Sequence, residues 1–112
     1  NGDGDQSRDF TFVENVVHGN LLAADAPLAP GNVINVACHG SVTVNSLASQ
    51  IGSLVGRDDI VPVHGPDRSG DVKHSMADVT KARELLGYEP VISFSEGLRR
   101  TVSFYMEHGF GK

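Results

Sequence analysis

Residues 6–13 read QSRDFTFV and place Arg8 beside Asp9, directly ahead of an apolar helical pattern. A second arginine, Arg68, comes shortly before Asp71 in the run RSGD. The guanidinium group is planar and permanently charged, and it donates to phosphate oxygens two at a time. Two such groups, each near a carboxylate, suit a nucleotide diphosphate, with an aspartate accepting hydrogen bonds from hydroxyls. The alternative is two ordinary surface ion pairs.

Hydrophobic spacing predicts a helix and a strand after this stretch. A helix is expected over about 13–25 because apolar residues recur there at helical intervals, namely Val13, Val16, Val17, Leu21 and Leu22. Proline at position 27 disfavours helix in the residue before it, which sets the end. The β-branched run VINVA at 33–37 is bounded by turn residues and predicts a strand. Gly19, inside the helix, costs roughly 1 kcal/mol against alanine, and a close helix-on-sheet contact would explain it.

Three further helices are predicted downstream. Each follows a side chain that can accept a hydrogen bond from the first helical turn, and they are expected over about 44–55 after Thr43, 79–86 after Asp78 and 94–108 after Ser93. Weak alternation over 60–64 predicts another short strand. The pattern is α/β with more helix than strand. Because lone strands cannot close a sheet, their partners are expected on chain outside these residues or on another copy.

Five runs in one order carry a family resemblance: SRDF at 7–10, VINVA at 33–37, RSGDVKHS at 68–75, ARELLGYEP at 82–90 and FSEGL at 94–98. Together they closely resemble the C-terminal part of the NAD-dependent nucleotide-sugar epimerase/dehydratase family, the extended short-chain dehydrogenases. The resemblance covers nearly the whole chain. It implies one C-terminal nucleotide-sugar-binding segment, 1–112, of a Rossmann-type α/β fold, in which about 13–37 supply a late helix and strand of the parent sheet.

The machinery of the family's N-terminal half has no counterpart in this sequence. Position 92, four residues after Tyr88, is isoleucine, and position 109, four after Tyr105, is glycine, so neither tyrosine has the lysine of a Tyr-x-x-x-Lys pair. Gly2 and Gly4 lack the preceding strand and the third glycine of a dinucleotide-binding turn. The resemblance therefore implies that NAD binds a missing N-terminal Rossmann half. We expect no catalytic residue here and no activity from the chain alone.

The resemblance assigns substrate contacts to five positions. Arg8 and Arg68 would bind the diphosphate of a nucleotide-diphosphate sugar, and Asp71 would lie near its ribose. Ser75 would border the sugar pocket, where a small residue leaves room for a bulky C2 group such as N-acetyl. His39 stands in the loop that family members place beside uracil, although small residues and glycine are usual there. The structural alternatives are a polar turn at 68–71 and a Ser75 hydroxyl bonded to nearby backbone.

The implied parent reaction is NAD-dependent epimerisation at C4 of a UDP-hexose. A dehydratase, decarboxylase or reductase acting on a nucleotide sugar is the alternative within the family. An alternative from another class is a stand-alone, non-catalytic module that binds nucleotide sugars or a partner. A reading frame upstream that encodes a strand, a Gly-x-x-Gly-x-x-Gly turn and a Tyr-x-x-x-Lys pair would favour the enzyme.

Composition narrows the classes of partner. The net charge is −5 with no basic run, which argues against nucleic acid and anionic membrane as partners. No apolar run approaches the roughly 20 residues of a membrane span. The single cysteine, Cys38, fits a reducing cytosol, and the histidines show no metal-ligand spacing. The apolar fraction of 39% allows only a modest core, so the isolated chain is expected to self-associate or to be marginally folded.

Overall fold

The computed structural model describes residues 2–67 and 69–109, and four helices dominate them. Their bounds are α1 Val13–Asp25, α2 Val44–Leu54, α3 Thr80–Leu86 and α4 Phe94–His108. Two short strands, β1 Ser7–Arg8 and β2 Val42–Thr43, complete the assigned elements. The helix α1 packs on α3, and α2 packs on α4. All four predicted helices are confirmed, with ends that differ by no more than a residue.

Local capping explains where the helices begin and end. Thr43 Oγ1 accepts from Ser46 N at 3.0 Å, and Ser93 Oγ accepts from Glu96 N at 3.2 Å, as the sequence predicted. The backbone N-cap of α3 is Val79, one residue after the predicted Asp78. Asp78 still contributes, because its carboxylate accepts from the N–H of Thr80 at 2.9 Å. These contacts satisfy donors that a helix start leaves unpaired.

The strand β1 is paired on both of its edges. On one side it runs antiparallel to β2, with Ser7 opposite Thr43. On the other side Ser7 N donates to Lys73 O at 2.8 Å, and Ser75 N donates to Ser7 O at 3.1 Å. Ser7 and His74 therefore form an isolated parallel bridge. Three segments that lie far apart in the sequence meet at one residue.

Within the described residues the segments predicted as strands, 33–37 and 60–64, join no sheet. Their partners are expected outside these residues, so both strands stay predictions. A strand requires a backbone partner at ladder distance, and 33–37 instead meets side chains. Lys81 Nζ donates to Val33 O at 3.3 Å, and Tyr88 Oη donates to Ala37 O at 2.9 Å. β-Branched composition favours an extended segment but does not supply the neighbouring strand.

The helix α1 buries a different face from the one its apolar spacing predicts. Its buried residues are Asn15 and Gly19, whereas much of the predicted apolar stripe is exposed, with Val13 at 64% and Leu21 at 67%. Gly19 allows the close approach expected of it, because a Cβ there would lie 2.7 Å from Val36 Cγ1. The neighbour is the extended segment at 33–37 rather than a sheet.

A small core lies between α1, α3 and the segment at 33–37. Its buried hydrophobic residues are Ala37, Val79, Ala82, Leu86 and Tyr88. Burial is the main cause that raises the pKa of the Tyr88 phenol, which keeps its O–H protonated and able to donate to Ala37 O. Buried tyrosines usually find such a partner.

Asn15 is a fully buried polar link between α1 and the turn that precedes α4. Its Oδ1 accepts from Val91 N at 2.8 Å and from Ile92 N at 3.0 Å. Its Nδ2 donates to Ile92 O at 2.8 Å and to Cys38 Sγ at 3.4 Å. A side-chain amide has two donors and two acceptor positions, so the capacity of Asn15 is fully used.

The chain exposes more surface than a compact monomer of its mass. Its accessible surface is 7495 Å², against roughly 5,900 Å² expected for 11.9 kDa. Its radius of gyration is 16.5 Å, whereas a compact domain of about 100 residues has about 13 Å. The exposed apolar face of α1 accounts for part of this excess.

Replacing Asn15 with alanine should lower the free energy of unfolding by roughly 2–4 kcal/mol, because two part-buried backbone N–H groups and a carbonyl lose their bonds to a fully buried side chain. Asn32→Ala is the matched control: Asn32 is exposed and donates one bond, to Leu28 O at 2.9 Å. That change should cost less than about 1 kcal/mol. Urea unfolding followed by circular dichroism measures both variants. Equal losses would show that the Asn15 bonds do not stabilise the fold.

The isolated chain should self-associate as its concentration rises. Exposed apolar side chains on α1 and an extended segment at 33–37 that joins no sheet within the described residues both favour contacts between copies. Light scattering over a concentration series, with a thermal melt at each point, measures this. A concentration-independent monomer with a sharp, high melting transition would contradict the expectation.

Candidate functional site

The paired strand β1 brings the two arginine–carboxylate motifs together. Arg8 Nη2 donates to Asp71 Oδ1 at 2.9 Å. The side chains of Arg8 and Asp71 are 30% and 35% exposed, so solvent reaches the pair only in part. Arg8 therefore pairs with the acid of the second motif rather than with its sequence neighbour Asp9.

Asp9 has a structural role beside the site. Its Oδ1 accepts from Cys38 N at 3.3 Å, and its Oδ2 accepts from Ala77 N at 3.4 Å. One carboxylate thus joins the loop after 33–37 to the segment ahead of α3. These bonds fix the backbone directly after Arg8.

The guanidinium of Arg8 is also held by backbone carbonyls. Nη1 donates to Ser7 O at 2.6 Å and to Lys73 O at 3.4 Å. A side chain fixed by several acceptors loses less freedom when a ligand binds. The arrangement orients Arg8 before any ligand arrives.

An open cleft of about 550 Å³ lies next to this pair. Asp71 belongs to its lining, with Gly2, Asp3, Gln6, Gly65, Pro66, Asp67, Val72 and Lys73. The volume falls within the range of roughly 300–1,000 Å³ typical of small-molecule sites. Arg68 lies outside the described residues, between Asp67 of the cleft and Ser69.

A second ion pair lies in the cleft. Lys73 Nζ donates to both carboxylate oxygens of Asp3, at 2.8 and 2.9 Å. The hydrogen bond from Lys73 is the main cause that lowers the pKa of Asp3, and the same bond raises the pKa of Lys73. Both groups are therefore charged at neutral pH.

Sequence reasoning missed Lys73 as a cleft residue. Side chains two positions apart in an extended segment point to the same side, so Asp71 and Lys73 share a face. That spacing was the available signal. No pattern in the sequence predicts the hydrogen bond between Ser7 Oγ and His74 Nδ1, which is 2.8 Å long, because these residues lie far apart in the sequence.

The structure places Ser75 next to β1 and His39 elsewhere. Ser75 is exposed, and its backbone N–H binds Ser7 O. His39 is not among the described residues that line the cleft. Its Nδ1 donates to Ala77 O at 2.9 Å, and its φ of 56° lies in the left-handed region that favours glycine. A glycine at this position would adopt that φ without strain.

Cys38 is a poor nucleophile in this setting. Burial is the main cause that raises the pKa of its thiol, and the negative charge of Asp9 acts in the same direction. The reactive form of cysteine is the thiolate, which a raised pKa disfavours.

The glycine-rich start does not fit a dinucleotide. Gly4 packs against the side chain of Asn45, where an added Cβ would collide with the amide, and Gly4 O accepts from Asn45 N at 2.8 Å. This glycine accommodates protein rather than a phosphate.

Over residues 2–67 and 69–109, no helix is long and apolar enough to span a membrane. The same ranges hold no group of three or more metal-binding side chains.

Sequence comparison finds relatives over most of the chain. A family model described as GDP-mannose 4,6 dehydratase matches residues 1–101. The chain is 36% identical over 104 residues to UDP-glucose 4-epimerase of Mycolicibacterium smegmatis, covering 93% of this chain and 33% of that protein. The chain thus spans about a third of the length of that relative.

Solved structures show the same fold. UDP-glucose 4-epimerase of Thermotoga maritima, solved with UDP-glucose, matches with a TM-score of 0.87 and 40% identity over 96% of this chain and 34% of that one. UDP-glucuronic acid 4-epimerase of Bacillus cereus, solved with UDP-glucuronic acid and NAD, matches with a TM-score of 0.80 and 28% identity, over 96% and 34%. With the family match, these likenesses show that the chain belongs to the NAD-dependent nucleotide-sugar epimerase/dehydratase family, the extended short-chain dehydrogenases.

Proposed function

We propose that this chain is the C-terminal, nucleotide-sugar-binding part of an NAD-dependent UDP-hexose 4-epimerase. The contact between Arg8 and Asp71 carries the proposal, because it joins the two motifs beside a cleft of about 550 Å³. The described relatives include enzymes that epimerise UDP-sugars at C4. The family model's description as a dehydratase supports dehydration of a nucleotide sugar as the second candidate.

In this proposal the chain binds the substrate at the end remote from the chemistry. Arg8 and Arg68 hold the diphosphate, and Asp71 accepts hydrogen bonds from the ribose. Ser75 borders the sugar and leaves room at C2, while His39 lies beside the base. Holding the diphosphate positions C4 by binding energy from groups that do not react.

When bound, NAD would supply the hydride chemistry. The described residues do not form a binding site for NAD. Gly4 is packed against Asn45, so the glycine-rich start offers no cradle for a pyrophosphate. We place the cofactor on the dinucleotide-binding half of the family fold. A cytosolic location is our further expectation and rests on the single cysteine.

Arg68→Ala and Arg8→Gln, each made in the complete enzyme, should weaken UDP binding by about one to two powers of ten. A charge-assisted contact to a partly buried phosphate contributes roughly 1.5–3 kcal/mol. Binding of NAD should change far less. Calorimetric titration of UDP and of NAD measures both constants.

Arg57→Gln is the matched control for these arginines. Arg57 is exposed and pairs with Asp59 at 3.2 Å, away from the residues of the cleft. UDP binding should survive this change. If Arg8 and Arg68 behaved like Arg57, they would be surface residues and the proposal would fail.

The purified chain, supplied with NAD and UDP-glucose, should form no UDP-galactose above the blank. The physical reason is that neither Tyr88 nor Tyr105 has the lysine partner of the family's Tyr-x-x-x-Lys pair. Chromatographic separation of the two UDP-sugars measures the product. Sustained turnover would show that these residues carry the catalytic groups themselves.

A further inference from the structure

The hydroxyl of Ser7 is buried and bonds to an imidazole across the strand pairing. Ser7 is 3% exposed, and its Oγ lies 2.8 Å from His74 Nδ1. Within residues 2–67 and 69–109, the structure gives this hydroxyl no other hydrogen-bond partner. A buried hydroxyl that loses its partner costs free energy. The imidazole of His74 therefore helps to hold in place the residue that directly precedes Arg8.

This bond lies on the face of the pairing opposite the cleft. Asp71 and Lys73 line the cleft, and successive side chains of an extended segment point to opposite faces. His74 is not among the described residues of the cleft lining and bonds to Ser7 instead. Arg8, the neighbour of Ser7, reaches Asp71 on the cleft side. The bond between Ser7 and His74 thus supports the site from behind.

The orientation of Arg8 depends on how closely β1 and the segment at 71–75 approach each other. Arg8 donates to Lys73 O at 3.4 Å and to Asp71 Oδ1 at 2.9 Å, and both acceptors belong to that segment. Over the described residues, two backbone hydrogen bonds join β1 to the segment, and Ser7 makes both. So short a pairing is weak on its own. The side-chain bond to His74 is the third link at the same residue.

We propose that His74 is a positioning residue, which holds Arg8 ready for a phosphate by fixing the pairing of Ser7. The inference rests on the proposed function, because it requires Arg8 to bind the diphosphate. His74 acts through Ser7 rather than by contact with the ligand. Loss of its bond should therefore weaken nucleotide binding even though the charge of Arg8 remains.

Asparagine and leucine at position 74 separate the hydrogen bond from the bulk of the side chain. The amide of asparagine offers a donor and an acceptor at the same number of bonds from Cα as Nδ1. Leucine branches at the same atom but carries no polar group. In the complete enzyme, His74→Leu should raise the dissociation constant of UDP by about two- to ten-fold, as expected for one lost hydrogen bond. His74→Asn should keep most of the affinity.

The dependence on Arg8 distinguishes positioning from general support of the fold. In an Arg8→Gln background, His74→Leu should no longer weaken UDP binding, because the residue through which it acts is gone. NAD binding should stay constant in each variant. Calorimetric titration of UDP and of NAD measures these constants. A loss of UDP affinity that persists at full size without Arg8, or that His74→Asn fails to restore, would overturn the inference.

Ser7→Ala removes the same bond from its other end. It leaves no unpaired hydroxyl in the interior, and the exposed imidazole of His74 can bond to water. This variant therefore tests the bond even if His74→Leu does not fold. It should also weaken UDP binding, and adding His74→Leu to it should weaken binding no further, since the two changes remove one interaction. Losses that add in full would contradict the proposed coupling.

His108→Leu is the matched control. His108 is exposed like His74, and its ring stacks on that of Phe104 on α4. Because neither ring belongs to β1 or to the segment at 71–75, UDP binding should survive this change. An equal loss from His108→Leu would show that the effect at position 74 is not specific to the site.

The same titrations distinguish failure of the inference from failure of the proposed function. If Arg8→Gln leaves the affinity for UDP unchanged, Arg8 does not bind phosphate and both proposals fall. If Arg8→Gln weakens UDP binding but neither His74→Leu nor Ser7→Ala does, only the positioning role is wrong. Circular dichroism of each variant confirms that its fold is intact.

Discussion

The two-sided pairing of Ser7 is the constraint on which the site depends. Ser7 is 3% exposed and bonds through its backbone to the segment at 73–75, while β2 pairs with its other edge. This pairing puts Arg8, the next residue, within reach of Asp71. Without it, the two motifs would be separate polar turns. A pair of strands only two residues long thus positions the arginine that the proposed function needs.

Polar side chains, the fully buried Asn15 and the half-buried Asp9, tie together the elements around this pairing. The amide of Asn15 joins α1 to residues 91 and 92, and the carboxylate of Asp9 joins residues 38 and 77. Both side chains bond mainly to backbone groups, and Asn15 also donates to Cys38 Sγ. Bonds of this kind favour one arrangement, because any slip leaves a polar group without its partner. This fixes the loops beside the cleft, although only a few apolar residues are fully buried.

The exposed apolar stripe on α1 is consistent with a chain that spans only part of the length of its relatives. The chain spans about a third of the length of its relatives, and its surface exceeds that of a compact monomer. Apolar residues at helical spacing on an exposed face are typical of a helix that packs on a further layer. The sequence pattern was therefore a sound sign of amphipathicity, while the described residues bury the opposite face through Asn15 and Gly19.

Local signals in the sequence determined the helices and the motifs. Side-chain caps at Thr43 and Ser93 act within three residues, so their helices could be placed without any knowledge of the fold. The order of the runs likewise identified the family. Neither property requires residues far apart in sequence to meet.

Only the tertiary structure decided which partners those residues have. Arg8 could pair with Asp9 or with Asp71, and the pairing of Ser7 with Lys73 and Ser75 selects Asp71. The run at 33–37 has the composition of a strand but meets side chains, because a strand depends on a neighbour that its own residues cannot supply. Hydrogen-bond ladders and ion pairs join distant residues, so their partners are fixed only when the chain has folded.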